Sequence, residues 1–189
     1  MAFKSLDTYK YCPQCGGPLE RCIIKSGGPE RLVCLECNYV LYEDPKVAVI
    51  AVVPKDGGVV MTRRAVNPGY GLWVLPGGFM DVGELLEEAL MREVEEEANL
   101  KVRVDRLLGV YSYRDSSTVV VAYLTEYLEG QMAPGEEVLD IGVFADGEIP
   151  WDKIPFRSTK STLDEYFKLK ELGGITSRRN SSATGSPGR

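Results

Sequence analysis

The sequence predicts an α/β fold built on a mixed sheet and preceded by a small metal-stapled module. Three observations carry this. Residues 43–172 alternate β-branched runs with segments of helical composition. Residues 1–42 hold two Cys-x-x-Cys pairs, several glycines and little apolar periodicity. Residues 173–189 (GGITSRRNSSATGSPGR) are rich in Gly, Ser and Arg, with almost nothing to bury, and are expected to be disordered or held by a partner. The 189 residues suffice for one ordinary domain plus an accessory module, and a 44% hydrophobic content supports a packed core.

In chain order the cysteine module comes first. Cys12-x-x-Cys15 is separated by eighteen residues from Cys34-x-x-Cys37. Two such knuckles supply four thiolates in tetrahedral geometry, the pattern of a structural Zn²⁺ site. Each knuckle runs into turn-forming residues (Gly16-Gly17 and Asn38) that let backbone amides approach the sulfurs. About forty residues cannot stabilise themselves by core burial, so a metal is the expected staple. A pair of disulfides is the alternative. Cys22 is the odd thiol, read as a plain buried or half-exposed side chain rather than a fifth ligand. The module mixes Glu20, Arg21, Lys25, Glu30, Arg31 and Glu36, so it presents no basic face, and a structural or dimer role is favoured over nucleic-acid binding.

The larger part follows. Val47 to Val53 is a continuous β-branched run, a strand buried on both faces. Asp56-Gly57-Gly58 turns the chain, and Val59 to Arg63 returns as a second strand. Asn67 to Gly71 is loop, Trp73 to Leu75 a short apolar stretch, and Pro76-Gly77-Gly78 a tight turn whose backbone can approach a ligand. Glu84 to Ala98 has helical composition, without Gly or Pro. Val102 to Tyr113, Thr118 to Leu128 and Val138 to Phe144 read as strands. Ser158 to Leu172 reads as a terminal helix ended by Gly173-Gly174.

The predicted helix carries the chemistry. Glu93, Glu95, Glu96 and Glu97 fall within five residues. A solvated acidic face is the ordinary reading of such a run. At 100° per residue, however, Leu86, Leu90, Glu93 and Glu97 share a sector of about 60°, with Glu96 beside them on the Ala89 edge. The apolar face of the first turns thus becomes acidic in the last, with three carboxylates aimed at the interior. Such a cluster is very unfavourable without cations, and hard oxygen ligands suit Mg²⁺ or Mn²⁺. Glu95 projects outward. A glycine carbonyl of the preceding loop is a candidate to complete a metal shell. Glu84 and Arg92 read as a clamp between loop and helix, with direct chemistry by Glu84 as the alternative.

Composition excludes other classes. The chain contains no histidine, which removes Ser-His-Asp triads, Cys-His pairs and imidazole metal ligands. Acid–base work falls to carboxylates, Lys, Tyr or metal-bound water. A net charge of −6 disfavours broad nucleic-acid binding, while a small anionic substrate remains compatible if a metal supplies local positive charge. No apolar run is long enough to span a membrane. MAFKSLDTYK lacks the apolar region of a secretory signal, so a cytoplasmic protein is expected.

Gly78, five residues, Glu84, seven residues, then Arg92-Glu93-Val94-x-Glu96-Glu97-x-x-Leu100 resembles the Nudix box. The match fails at one position, where the family carries glycine and this chain has Asn99. That position ends the helix and calls for the left-handed conformation, for which asparagine is the next-best residue. A cysteine ribbon ahead of such a box is similar to the NADH pyrophosphatases, although their Ser-Gln-Pro-Trp-Pro-Phe-type element is absent. Tyr11-Cys12-x-x-Cys15-Gly16-Gly17, Asp44-Pro45-Lys46, Gly71-Leu72-Trp73, Ala133-Pro134-Gly135 and Glu148-Ile149-Pro150 are closer to the plant chloroplast FAD diphosphatases.

The resemblance implies a Nudix α/β/α sandwich with a mixed sheet, a homodimer, and hydrolysis of a nucleoside diphosphate linked to another group. FAD, NADH and ADP-ribose are the candidate substrates. By position it implies Glu93, Glu96 and Glu97 as ligands of catalytic Mg²⁺, with Gly77 as an added ligand. The general base is either a box glutamate or a loop acid, among Glu136, Glu137 and Asp140, of which Glu137 matches best. Arg63 and Arg64 leave a strand near the site and are candidates to pair with phosphate, a solvated strand end being the alternative. Tyr70, Trp73, Tyr111 and Tyr113 are candidates to stack on a base, or else packed aromatics. A non-catalytic ligand sensor or nucleic-acid-binding regulator is the competing reading. It is weakened by the retention of every box carboxylate.

Overall fold

The computed structural model describes residues 9–174. Most of the tail expected to be disordered or partner-bound lies outside the described residues. The cysteine module, whose sequence shows little apolar periodicity, forms an antiparallel three-stranded sheet of β1 (Leu19–Ile23), β2 (Glu30–Cys34) and β3 (Val40–Leu41). Its strands are too short and too exposed for alternation to stand out in the sequence.

The larger part contains two further sheets. The first has the order β8-β4-β10-β9, with β4 (Lys46–Val52), β8 (Gly77–Phe79), β9 (Lys101–Tyr111) and β10 (Thr118–Glu129). β4 runs parallel to β10, with Lys46 beside Thr118 and Val52 beside Leu124, while its other neighbour β8 is antiparallel. The sheet is therefore mixed, as expected. The second sheet orders β11 (Val138–Phe144), β6 (Gly58–Arg64) and β5 (Pro54–Lys55), with β7 (Trp73–Val74) also paired to β6.

Two helices cover the first sheet. α1 (Leu86–Ala98) buries Ala89, Leu90, Val94 and Ala98 in a cluster with Val49, Ala51, Val53, Val102, Val121 and Tyr123. α2 (Arg157–Glu171) buries Leu163, Tyr166 and Phe167 in a second cluster with Val52, Met61, Leu75 and Leu124. Alternate residues of β4 and β10 feed the two clusters, which is why their β-branched runs are continuous. The result is the expected α/β/α sandwich.

Two local expectations are corrected. Pro76-Gly77-Gly78 is not a tight turn, because Gly77 and Gly78 belong to β8 and pair with Ile50 and Val49. Glycine is needed there for clearance. A Cβ on Gly77 (φ +150°) would lie 2.1 Å from the Val49 carbonyl oxygen, and one on Gly78 would lie 2.5 Å from the Glu93 carboxyl. The helix also begins at Leu86 rather than Glu84, because Leu85 is extended (φ −80°, ψ 153°) and its amide is capped by the Glu88 carboxylate at 3.0 Å.

Candidate active site

Glu93, Glu96, Glu97, Gly135, Glu136 and Glu137 line an open cleft of about 370 Å³ at the C-terminal half of α1. The carboxylates are graded rather than uniformly inward. Glu97 is buried (9% exposed), Glu93 is half-buried, and the Glu96 side chain is 59% exposed. The expectation of three interior-facing carboxylates is corrected accordingly. Glu96 lies on the helix flank, at the rim of the core sector.

Glu97 is the floor of the cleft. Its Oε2 accepts the Gly77 amide at 3.0 Å and, at 3.4 Å, the hydroxyl of Thr62 on β6. Burial dominates these two donors and the attraction of Arg64, so its carboxyl is pushed up to about 7. Burial also raises Glu93, against the pull of Arg92. Gly77, expected to offer its carbonyl to a metal, reaches this carboxylate through its amide. Thr62 escaped notice in the sequence. The available signal was a hydroxyl side chain in an otherwise apolar stretch of β6.

Arg92 is held from four directions. Its Nε and Nη2 donate to the two oxygens of Glu84 at 2.8 and 3.0 Å, and Nη2 also reaches the Phe79 carbonyl at 3.1 Å. Its Nη1 donates to Glu93 at 2.8 Å and Glu96 at 3.2 Å. Glu84 accepts the Asp81 amide as well, and its carboxyl, held chiefly by Arg92, falls to about 2. The pair ties the 79–84 loop to α1, and the same guanidinium lies between two of the cleft carboxylates.

Glu136 and Glu137 close the opposite wall, while Asp140 is not among the lining residues. Asp140 stands opposite Arg63 on β11 and accepts the Ile141 amide. Arg63 and Arg64 end β6 and turn to loop carbonyls, Arg63 to Gly71 and Arg64 to Pro68, each at 2.9 Å. Arg64 also stacks over Phe156 at 5.5 Å. The candidate aromatics do not gather. Trp73 packs edge-on against Phe144, Tyr113 lies under Arg157, Tyr111 is half-buried, and Tyr70 is 61% exposed.

In the ribbon, the ligand atoms of Cys12, Cys15, Cys34 and Cys37 all lie within 4.8 Å of one another. The Cys12–Cys37 and Cys15–Cys34 sulfurs are 3.7 and 3.5 Å apart. A disulfide needs about 2.05 Å, whereas a tetrahedron of Zn–S bonds of about 2.3 Å separates its sulfurs by about 3.8 Å. The amides of Gln14 and Gly17 point at Cys12 and Cys15, each at 3.4 Å, as the turn residues implied. The Cys37 and Glu36 amides pull the Cys34 thiol down to about 7, whereas the Cys15 thiol, despite the Gly17 amide, is pushed up to about 12 by hydrogen bonds with the Cys37 and Cys34 sulfurs. Cys22 stands apart on β1 as a free thiol.

Residues 44–162 match the model of the NUDIX domain, and residues 10–43 match that of the Nudix N-terminal zinc ribbon. The chain belongs to the Nudix family. It is 33% identical over 137 residues to an ADP-ribose pyrophosphatase of Methanocaldococcus jannaschii, covering 70% of this chain and 79% of that protein. It is 27% identical over 146 residues to the NAD-capped RNA hydrolase NudC of Photobacterium profundum, covering 77% of this chain but only 53% of NudC. The chain thus spans about half the length of such relatives. Among solved structures, a Nudix hydrolase from Nitrosomonas europaea superposes with a TM-score of 0.82 at 35% identity, covering 87% of this chain and 94% of that one. Family, fold and relatives make the chain a Nudix-type hydrolase.

Nudix enzymes typically use a divalent metal, and the donor sets here fit two different ions. The cysteine tetrad suits Zn²⁺ in a closed site. The cleft offers hard oxygens, including a buried carboxylate whose local donors do not offset its burial, and that is the condition a divalent cation relieves. Among the described residues no helix is long and apolar enough to cross a membrane.

Proposed function

We propose that the protein hydrolyses the pyrophosphate bond of a nucleoside diphosphate linked to a second group, with ADP-ribose as the leading substrate. One observation carries the reading: five carboxylates, with Glu97 buried and raised, line a single open cleft. Glu93, Glu96 and Glu97, with Gly77, would hold Mg²⁺ or Mn²⁺, which when bound neutralises diphosphate charge and acidifies water. The chain's own residues do the rest. Arg92 and Glu84 keep the loop and helix in one register. Gly77 and Thr62 fix the rotamer of Glu97. Glu137, or a box glutamate, takes the proton from the attacking water. Arg63 and Arg64 steer phosphate at the end of β6.

The substrate assignment leans on the ADP-ribose pyrophosphatase likeness. NADH and FAD follow as further dinucleotides, FAD on the resemblance to the plant chloroplast enzymes. The NudC relatives support a second reading, an NAD-capped RNA end as substrate, which would bring nucleic acid to a chain whose net charge disfavours it. We assign residues 1–42 to a zinc-stapled ribbon and 43–172 to the hydrolase domain, with 173–189 as the Gly/Ser/Arg-rich remainder. A homodimer is proposed on family grounds.

The test is direct. The protein with Mg²⁺ is incubated with ADP-ribose, NADH, FAD and NAD-capped RNA, and products are separated. AMP plus ribose 5-phosphate from ADP-ribose is the expected outcome. No turnover of any substrate with either Mg²⁺ or Mn²⁺ would leave the ligand-sensor reading in its place.

A further inference from the structure

The last turn of a helix leaves carbonyl groups without intrahelical donors. At the end of α1 two of these are taken by a distant segment. The Ala133 amide donates to the Ala98 carbonyl and the Gly135 amide to the Glu97 carbonyl, each at 3.2 Å. A third tie comes from a side chain: Asn99 Nδ2 donates to the Gln131 carbonyl at 2.8 Å. The fit is close enough to require glycine twice. A Cβ on Gly130 would lie 2.5 Å from the Asn99 carbonyl oxygen, and one on Gly135 would lie 1.9 Å from that of Glu96. Two residues past Gly135, the Glu137 carbonyl accepts the Ala65 amide at 2.8 Å, beyond the end of β6.

Residues 130–137 therefore bridge the helix that carries Glu93, Glu96 and Glu97 and the strand that carries Thr62. We infer that Asn99 is a positioning residue, whose side-chain amide straps this segment to α1 and sets Glu137 across the cleft from the box carboxylates. The inference rests on the reading that Glu137 acts on water in that cleft. Asn99 occupies the left-handed conformation (φ 54°) at the position where the Nudix box carries glycine. Glycine supplies the same backbone but no strap, so the departure from the box adds a function rather than merely being tolerated.

Asn99→Gly separates the two contributions, since it keeps the backbone conformation and deletes the donor. The Ala133 and Gly135 amides should then exchange with solvent at least about tenfold faster. With ADP-ribose and Mg²⁺, kcat should fall about tenfold while KM stays within about twofold, because the substrate still binds and only the proton acceptor is misplaced. In a Glu137→Gln background the same change should cost nothing further. Gly135→Ala, which pushes the segment off the helix end, should reproduce the phenotype more strongly. Unchanged exchange at both amides overturns the strap. A kcat loss that persists in full in the Glu137→Gln background overturns its route. Normal kcat in Glu137→Gln alone defeats the reading of Glu137, and with it the catalytic half of the inference, while exchange still reports the strap by itself.

Discussion

The cysteine tetrad and the carboxylate cleft are both anionic donor sets, yet they are built in opposite ways. The four thiols come from two adjacent knuckles of one small sheet, and their sulfurs already lie within tetrahedral reach. The carboxylates come from α1 and from the segment before β11. They range from buried to exposed, and the guanidinium of Arg92 lies against two of them. Among the described residues, only the cysteines draw three or more ligand atoms together so closely. A structural ion is best served by a closed shell, which leaves no position for a reactant. A reacting site must keep unfilled coordination and room for a diphosphate, so its protein ligands stay apart until the cation and substrate arrive.

The comparison breaks most sharply at Glu97. Glu97→Gln should lower kcat at least about a thousandfold, the scale for losing an electrostatic or basic group at the reacting centre. The thermal midpoint of the metal-free protein at pH 8 should hold or rise, because a neutral amide removes a buried charge. Near-normal turnover with metal still bound would remove Glu97 from the site.

A smaller effect follows from its proton. Burial raises Glu97 from 4.5 to about 7, so across that window the folded protein holds a proton that the unfolded chain has lost. Stability of the metal-free protein therefore decreases as pH rises through the window. A cation must displace the same proton, so half-saturating Mg²⁺ should fall about tenfold between pH 6 and pH 8. A flat Mg²⁺ requirement would mean that the cation does not touch this carboxylate.

The smallest effect on turnover is expected at the other site. Cys34→Ser should abolish Zn²⁺ retention and amide protection in β1 and β2, because metal binding and local folding are one equilibrium there. Turnover by the larger domain should stay within about threefold of normal. Loss of turnover in proportion to Zn²⁺ would make the ribbon part of the reaction.

What could be seen in the sequence follows the range of the interactions involved. The knuckle spacing, the β-branched runs of β4 and β10 and the apolar stripe of Leu86, Leu90 and Val94 are local patterns, and each appears where expected. The role of Gly77 and Gly78 was not legible. Their need for glycine comes from the Val49 carbonyl and the Glu93 carboxyl, neighbours supplied by other elements. The same holds for Thr62, which reaches Glu97 from the second sheet, 35 positions away in the chain. The grading of the glutamates depends on which partners other elements supply, Gly77 and Thr62 for Glu97 and none of these for Glu96, which helical periodicity cannot tell.

The parallel pairing of β4 with β10 has a consequence for the order of assembly. Thr125 and Val52, hydrogen-bonded across that pairing, are 73 positions apart in the chain, and α1 lies wholly between them. What surrounds the α1 carboxylates is likewise remote: Thr62 and Gly77 lie before the helix, and Gly135 to Glu137 beyond β10. Loop closure over such separations is slow and is rewarded only at the end. A chain released only as far as residue 129 would hold the complete box together with Thr62 and Gly77, but not the wall that Gly135, Glu136 and Glu137 add to the cleft. The proposed hydrolytic centre is thus complete only when residues from β6 through Glu137 are all in place, and no shorter stretch of the chain carries the whole of it.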